Sequence, residues 1–524
     1  MRRFMPAVVF FSALLLSVAT QAVAVAAEPR HVVLIVWDGM RPDFATEKFA
    51  PTLDQLAREG VRFTRHHSVY PTETDVNGAA LATGCYPDRS GLCANLEFRR
   101  WINPRLAIDT SDSASIRRGD EISGGRYLLV PTFVERLRQA GKTVALAGTK
   151  SVAVLFDRQN DWTIVPMQNR AFTVFAGAPI NSTARDALTK LLGPFVDDRH
   201  ASGAQRSEFA TRALTDFLWR DGIPDFSLLW LSEPDFSQHN FAPGSPQAIS
   251  AIKAADGDLA AVLSALEKKH ARDSTDVLVV SDHGFSTIRR SVKLVALLNG
   301  AGFHAGTALS ETPKAGDILV AGNGGTALFY VQDHDSGTIH RLVTWLEQSN
   351  FASVLFTRAK LEGTFPLEAA HLAAPAAPDL LMAFRWYPDR NQFGVPGVID
   401  ADWNRKAGEG THATLGSSDV HNTFIAAGPD FPQSGEKKLP TGNIDIAPTV
   451  LAIFGVKGAA EMDGRALIPA TGEATATRKT LHASQALEHG AWNQSLDAVT
   501  VGDTTYFESS DSAVTDHQSP VTSH

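Results

Sequence analysis

Short apolar runs recur along the chain, and several stop abruptly on a charged or imidazole side chain. H-V-V-L-I-V-W (31–37) ends at Asp38, F-S-L-L-W-L (226–231) leads into E-P-D-F-S-Q-H (233–239), and D-V-L-V-V (276–280) leads into S-D-H-G-F (281–285). Runs this short and β-rich, apolar at successive positions, predict strands buried on both faces. T-V-A-L-A-G (143–148) reads the same way, and further strands are predicted at 317–321, 327–331, 379–384 and 422–427. Between the runs the period becomes helical. Helices are predicted near 50–59, at 131–141 between Pro131 and Gly141, at 205–220, and over the amphipathic stretch 249–270. Strand and helix alternate, which predicts an α/β fold with a mainly parallel central sheet and helices on both faces.

Three stretches break the rhythm. Residues 96–128 and 155–200 are polar and rich in turn residues, and 286–405 is longer and partly structured. All three read as insertions into one domain spanning 28–470, the first two lying over the site. In the Ser/Thr/Asp-rich tail, 471–524, L-D-A-V-T-V-G-D-T-T-Y-F-E (496–508) predicts a hairpin around Gly502-Asp503. Residues 509–524 are expected to lack order.

The chain begins like a targeting segment. Arg2 and Arg3 precede an apolar stretch from Pro6 to Ala19, and the small residues at Ala22–Ala27 offer cleavage just before Glu28. A leader at 1–27 implies export to a periplasm or the cell exterior; the alternative is an uncleaved membrane anchor. No later run is long and apolar enough to span a bilayer. The 524 residues carry a formal charge of −9, which argues against a general nucleic-acid binder. Nothing in the sequence sets an oligomeric state. Two cysteines, Cys85 and Cys93, could pair in an oxidising compartment and contribute about 2–3 kcal/mol. The alternative is two free thiols. Two cysteines cannot build a Cys-based zinc site.

Ligands of open α/β sheets bind at the carboxyl ends of strands. Asp38, Asp235, His239, Asp282 and His283 all fall there. Carboxylate and imidazole together suit zinc and similar divalent ions. In Y-P-T-E-T-D-V-N-G-A-A-L-A-T-G (70–84), a turn at Pro71 leads into a small-residue helix. Thr72 and Thr74 then lie near a helix N-terminus, where N–H groups favour anions. A threonine hydroxyl needs a base or a metal to become a nucleophile; taken alone, Thr74 reads as a helix cap. His66-His67 read as turn or surface residues, and R-W-Y-P-D (385–389) as packing. Asn181 opens a glycosylation sequon if the source is eukaryotic. There is no Walker A sequence, no G-x-S-x-G and no dinucleotide-binding glycine fingerprint.

Taken together, these residues resemble the alkaline phosphatase superfamily and, within it, the nucleotide pyrophosphatase/phosphodiesterase branch. The matching elements are D-G-M-R-P (38–42), P-T-E-T-D-V-N (71–77), A-T-G-C-Y-P-D-R-S-G-L (82–92), Asn95, E-P-D-F-S-Q-H (233–239), S-D-H-G-F (281–285), G-T-H (410–412) and N-I-D-I-A-P-T-V-L-A-I-F-G (443–455). The resemblance implies an alkaline-phosphatase-like three-layer sandwich with inserted cap segments. It implies two zinc ions, one held by Asp235, His239 and His412, the other by Asp38, Asp282 and His283 with Thr74 toward it. Thr74 would attack phosphorus and form a phospho-threonine intermediate, and Asn95 would bond a non-bridging oxygen. The substrate would be a small phosphate ester or nucleotide.

The chain departs from that branch in three places. It has D-V-N after Thr74 where F-P-N is usual. It has G-T-H-A where G-x-H-G is usual, which leaves His421 in D-V-H-N as a competitor to His412. Finally, A-L-A-G-T-K-S-V (145–152) puts Lys150 at a strand end and resembles the S-x-K-D-R element of Thr-dependent alkaline phosphatases and phosphonate hydrolases. There two basic residues bind phosphate; here the second position is Val152. Lys150 is therefore either a phosphate ligand or a surface lysine, and the preference between diester and monoester stays open. The C/S-x-P-x-R element of sulfatases is missing. The expectation is an exported di-zinc phosphoesterase acting on diester or pyrophosphate bonds. Its rivals are a Thr-dependent phosphomonoesterase or phosphonate hydrolase, a manganese-dependent phosphotransferase, against which the leader argues, and a non-catalytic exported binding protein.

Overall fold

Burial on both faces sets the centre of the molecule. In His31–Trp37, Val33, Ile35 and Trp37 face one helical layer, and Val32, Leu34 and Val36 face the other. The computed structural model describes residues 30–158, 173–175, 182–194, 201–468, 475–488 and 490–515. The expected leader, Asn181 and the last residues of the tail lie outside these.

Phe226–Leu231 and Thr275–Val280 run parallel to His31–Trp37 on its two sides. Val144–Gly148 continues the sheet beside Phe226–Leu231, and Thr173–Phe175 follows it. On the far side Phe424–Ala427 pairs antiparallel with Thr275–Val280, then come Val61–Phe63 and Gly435–Lys437. Pro51–Glu59 and Pro246–Lys268 cover one face. Thr74–Thr83, Phe133–Gln139 and Ile446–Ile453 cover the other. The three-layer α/β arrangement expected from the sequence is the one observed.

Helix starts differ from the pattern where capping chemistry decides. The helix expected from Pro131 begins at Phe133, because Thr132 and Glu135 form a reciprocal capping box with bonds of 3.0 and 3.1 Å. Thr74–Thr83 is buried along its whole length. A Cβ on Gly78 would lie 2.2 Å from Val152 Cγ2, so the small residues are what let this helix approach its neighbour.

The stretch 286–405 contributes most of a four-stranded and a six-stranded sheet, with helices Leu294–Gly300 and Ser336–Glu347. The stretch 96–128 holds a short strand pair and the helix Ser113–Ser123, capped by Asp112. The tail corrects the sequence reading. Ala476–Leu487, Gly490–Val501 and Thr504–Thr515 form an antiparallel sheet whose last strand extends through residues expected to lack order. Its polar composition hid a buried face: Leu496, Ala498 and Phe507 pack with Phe356 and Leu415. The cysteines are not paired; both are free and buried. Cys93 sits in the apolar cluster with Tyr70 and Phe98, while Cys85 lies beside Thr83 and the charge of Asp463. Among the described residues, no helix is long and apolar enough to cross a membrane.

The long helix Pro246–Lys268 buries two carboxylates with different consequences. Asp256 accepts the Thr52 and Leu53 N–H groups at 3.0 and 2.9 Å, at the start of the neighbouring helix. Asp258 has no such backbone donors among the described residues. Burial pushes its carboxyl up to about 7, with Thr211 pulling it down and Glu208 adding to the rise. An unfolded Asp loses its proton near about 4. The folded state therefore holds a proton that the unfolded state releases, and stability should fall as pH rises from about 4 to about 7. Asp258 should contribute at most about 4 kcal/mol to that fall. In urea unfolding across this range, Asp258→Asn should flatten the slope; an unchanged slope would contradict the assignment.

Candidate functional site

The parallel strands end at one edge, and their final residues meet there. Asp38 follows Trp37 directly. Asp235 and His239 lie one turn apart on the helix Asp235–Phe241, after Phe226–Leu231. Asp282 and His283 follow Thr275–Val280, and His412 follows the short strand Gly410–Thr411. Gly39 turns the chain beneath Asp38 with φ +70°, and a Cβ there would lie 3.1 Å from Asp235 Cα. Its N–H donates to Asp282 Oδ1 at 2.9 Å, and Asp235 N–H donates to Asp38 O at 2.9 Å. These backbone bonds lock the three acidic segments to one another.

The imidazoles are oriented by the backbone. His239 Nδ1 donates to Gly410 O at 2.9 Å, His283 Nδ1 to Gly284 O at 2.8 Å, and His412 Nδ1 to Thr72 O at 2.7 Å. Each Nε2 is left as a lone pair facing carboxylate oxygen, an arrangement suited to metal ligation. His239 Nε2 and His412 Nε2 lie 3.3 and 3.6 Å from Asp235 Oδ1. His283 Nε2 lies 3.4 Å from Asp282 Oδ2 and 3.7 Å from Asp38 Oδ1. At this edge, among the described residues, two sets have the spacing to hold an ion: Asp235, His239 and His412, and Asp38, Asp235 and His283. Asp235 belongs to both, which the sequence reading did not foresee. Asp282 borders the second set.

Two buried oxygens, Asp235 Oδ1 and Asp282 Oδ2, have no hydrogen-bond partner. Unanswered buried carboxylate oxygen is costly. It is the condition a bound divalent cation would relieve, so these residues fit a metal. Burial pushes the Asp38 carboxyl up, with neighbouring Asp282 adding to the rise, and pushes Asp282 up to about 7. Burial acts on Asp235 in the same sense, but Lys150 and His239 outweigh it and keep it ionised. Burial also lowers His283 and His412, which favours the neutral ligand form.

Lys150 is not a surface lysine. Its Nζ donates to Asp235 Oδ2 at 2.8 Å, Asp38 Oδ1 at 2.9 Å and Thr74 Oγ1 at 3.2 Å. Burial disfavours its charge, but Asp235, Asp38 and Asp282 outweigh that and raise its pKa above the ordinary lysine value. Thr74 is the first residue of the buried helix, and its Oγ1 also lies 3.2 Å from His283 Nε2. Thr72 instead donates its hydroxyl to Thr414 O at 3.0 Å. Asn95 Oδ1 accepts the Asp75 N–H at 2.8 Å, which sets the amide beside the turn that carries Thr74. His421 lies elsewhere, against Glu508, and His412 is the histidine at the pocket.

Sequence reasoning missed several supporting residues. Trp230 Nε1 donates to Asp38 Oδ2 at 2.8 Å, and Gln238 Nε2 donates to Gly39 O at 2.8 Å. Phe285 packs its ring against His239 and His412 at 4.9 and 5.3 Å. Trp230 lay inside an apolar strand, where only its bulk was legible. Gln238 stood between Asp235 and His239 with no signal of its own.

The sequence pattern of the family described as type I phosphodiesterase/nucleotide pyrophosphatase matches residues 32–386. Bis(5'-adenosyl)-triphosphatase enpp4 of Xenopus laevis is 22% identical over 440 residues, covering 82% of this chain and 78% of that one. Venom phosphodiesterase 2 of Crotalus adamanteus is 24% identical over 268 residues, 50% of this chain. The match spans about a quarter of that relative's length, 27%. In fold, the chain is similar to human ectonucleotide pyrophosphatase/phosphodiesterase 5, with a TM-score of 0.55, 17% identity, and coverage of 82% of this chain and 96% of that one. The murine counterpart, solved as an inactive variant in complex with AMP, gives a TM-score of 0.54 at 15% identity over the same shares.

The Trp230 indole provides a test of the pocket. Trp230→Phe keeps an aromatic ring but removes the donor that fixes Asp38. Loss of such an outer partner costs about 10- to 100-fold in metal affinity. Competition against a chelator should show a weakening of that order for divalent metal, with unchanged circular dichroism. Unaltered affinity would mean that Asp38 needs no such anchor.

Proposed function

The chain belongs to the type I phosphodiesterase/nucleotide pyrophosphatase family, and from that premise we propose that it is an exported phosphoesterase using two zinc ions to cleave phosphodiester or pyrophosphate bonds. The substrate class is small phosphate esters and nucleotides. The observation that carries this reading is the place of Thr74 Oγ1, 3.2 Å from both His283 Nε2 and Lys150 Nζ. It stands at a buried helix N-terminus beside both candidate ligand sets.

One zinc would be held by Asp235, His239 and His412, the other by Asp38, Asp282 and His283 with Thr74 toward it. Zinc bound there supplies positive charge for developing oxyanions. Thr74 would attack phosphorus as the leaving alcohol or phosphate oxygen departs and takes up the proton that Thr74 gives up, and the Lys150 ammonium would favour its alkoxide form. Asn95, held by Asp75, presents its amide N–H to a non-bridging oxygen. Asp38, kept in place by Trp230 and Lys150, fixes the side of the pocket from which Thr74 approaches. Water then cleaves the phospho-threonine. The basic, apolar start of the chain supports the exported location.

A second reading, a Thr-dependent phosphomonoesterase, is favoured by one feature: Lys150 lies within bonding distance of the nucleophile. A dianionic monoester gains more from that charge than a monoanionic diester does.

Thr74→Ala should lower kcat/KM by about 1,000-fold or more while zinc stays bound. Thr72→Ala, which loses one neutral hydrogen bond, should cost no more than about tenfold. Steady-state kinetics with zinc analysis decides, and a more damaging Thr72 change would remove Thr74 from its role.

Lys150→Ala separates the two substrate classes. A charge pair at 4 Å is worth about 4 kcal/mol at intermediate dielectric, and solvent and neighbouring carboxylates reduce that to roughly 1–3 kcal/mol. Monoester kcat/KM should therefore fall about 5- to 150-fold more than diester kcat/KM. Equal losses on p-nitrophenyl monoester and diester would make Lys150 a general positioning group.

A further inference from the structure

His66-His67, read from sequence as turn or surface residues, are both buried and form a two-residue strand. Successive side chains on a strand leave by opposite faces. His66 turns toward Phe424 and bonds Thr441 Oγ1 and Asn443 Oδ1 at 2.9 and 3.0 Å. His67 takes the other face, where antiparallel pairing sets it directly opposite His421. A third group arrives from the tail sheet. Asp497 pairs with Ser509 and Ala498 with Phe507, so Glu508 between them is the extra residue of a β-bulge. Bulges re-aim side chains, and this one brings Glu508 to the two imidazoles.

We propose that His67, His421 and Glu508 form a structural metal site, for zinc or a similar borderline ion, that fastens the tail sheet to the main domain. The site shares no residue with the candidate catalytic pocket.

The spacing fits such an ion. His67 Nε2 lies 3.5 Å from Glu508 Oε1, and His421 Nε2 lies 3.4 Å from Glu508 Oε2. The three ligand atoms lie within 4.8 Å of one another. A tetrahedral zinc with bonds of about 2.0–2.1 Å holds its ligand atoms roughly 3.4 Å apart. The tautomers agree as well. His67 Nδ1 donates to Thr441 O and His421 Nδ1 to Ser417 O, both at 2.9 Å. Each Nε2 therefore turns a lone pair toward the carboxylate, as at the catalytic pocket. His67 is 1% exposed, and its Nε2 has no hydrogen-bond partner. Arg65 bonds Glu508 Oε1 and offsets the carboxylate charge, yet it leaves His67 Nε2 unanswered. Glu508 and His421 are 20 and 25% exposed in their side chains, which leaves room for water as a fourth ligand.

The test uses the full chain, stripped with chelator, reloaded with Zn2+ alone and freed of excess. His421→Ala and Glu508→Gln should each hold one zinc fewer than the wild type, whatever number the catalytic pocket takes, and both should keep phosphoesterase activity. Crystals of the zinc-loaded wild type should give an anomalous peak between His67 Nε2, His421 Nε2 and Glu508. Equal zinc content in wild type and both variants, or no peak at that position, would overturn the proposal and leave an ion-paired cluster around Arg65.

Discussion

The constraint on which the rest depends is the burial of three carboxylates, Asp38, Asp235 and Asp282, at one sheet edge with too little positive charge among them. Lys150 answers parts of two, and buried oxygens of Asp235 and Asp282 remain without partners. Such a cluster would relax apart unless the scaffold held it. The scaffold does so with backbone: Gly39 N–H to Asp282 Oδ1, and Asp235 N–H to Asp38 O. Those bonds need a left-handed turn at Gly39, which a side chain would strain while crowding Asp235. The parallel register of Phe226–Leu231 and Thr275–Val280 about His31–Trp37 brings the three segments level. Stability is thus given up locally to keep a cation-seeking pocket, as expected of functional sites.

Much of the candidate pocket was legible because Asp38, Asp235, His239, Asp282 and His283 follow uninterrupted apolar strands, whereas His412, after the two-residue strand Gly410–Thr411, was marked by the resemblance alone. A strand buried on both faces has few alternative readings, and a carboxylate or imidazole at its end has few structural reasons to be there. The central sheet was legible for the same reason. What was hidden depended on contacts distant in sequence. Lys150 could be placed at a strand end, but its bonds to Asp38 and Asp235 appear only in three dimensions. His66-His67 make a strand of two residues, too short for any periodicity to register. In the tail, one face of the sheet is buried and the other wet, so average polarity concealed Leu496, Ala498 and Phe507. The cysteines were close in sequence, but the fold sends them into different environments.

One device recurs among the histidines. At His239, His283 and His412 the Nδ1–H is spent on a backbone carbonyl, and the same holds at His67 and His421. A carbonyl cannot accept a bond without fixing the tautomer, so each ring is committed to present Nε2 as a lone pair. His66 differs: both of its nitrogens bond side chains, and it packs on Phe424 as a core residue. His31 and His340 make the same Nδ1 bond to a backbone carbonyl away from either cluster, so the bond fixes the tautomer, and it is the neighbouring carboxylates that make a candidate ligand.

The departure at D-V-N after Thr74 poses an electrostatic problem. Asp75 follows Thr74 and Glu73 precedes it, on a helix N-terminus otherwise suited to anions. Two ionised carboxylates there would repel a phosphoryl group. Burial pushes Asp75 up to about 8, with Asp109 adding to the rise and Thr110 opposing it. Burial also raises Glu73 well above its ordinary value, although Asn95 N–H opposes the shift. Asp75 is therefore largely protonated at neutral pH, and the shift at Glu73 runs in the same direction. A protonated carboxyl donates a hydrogen bond and carries no charge, so the field of the helix N-terminus survives. Asp75 N–H still holds Asn95 in place. The substitution thus keeps a neutral flank through burial where an apolar pair would give it by composition.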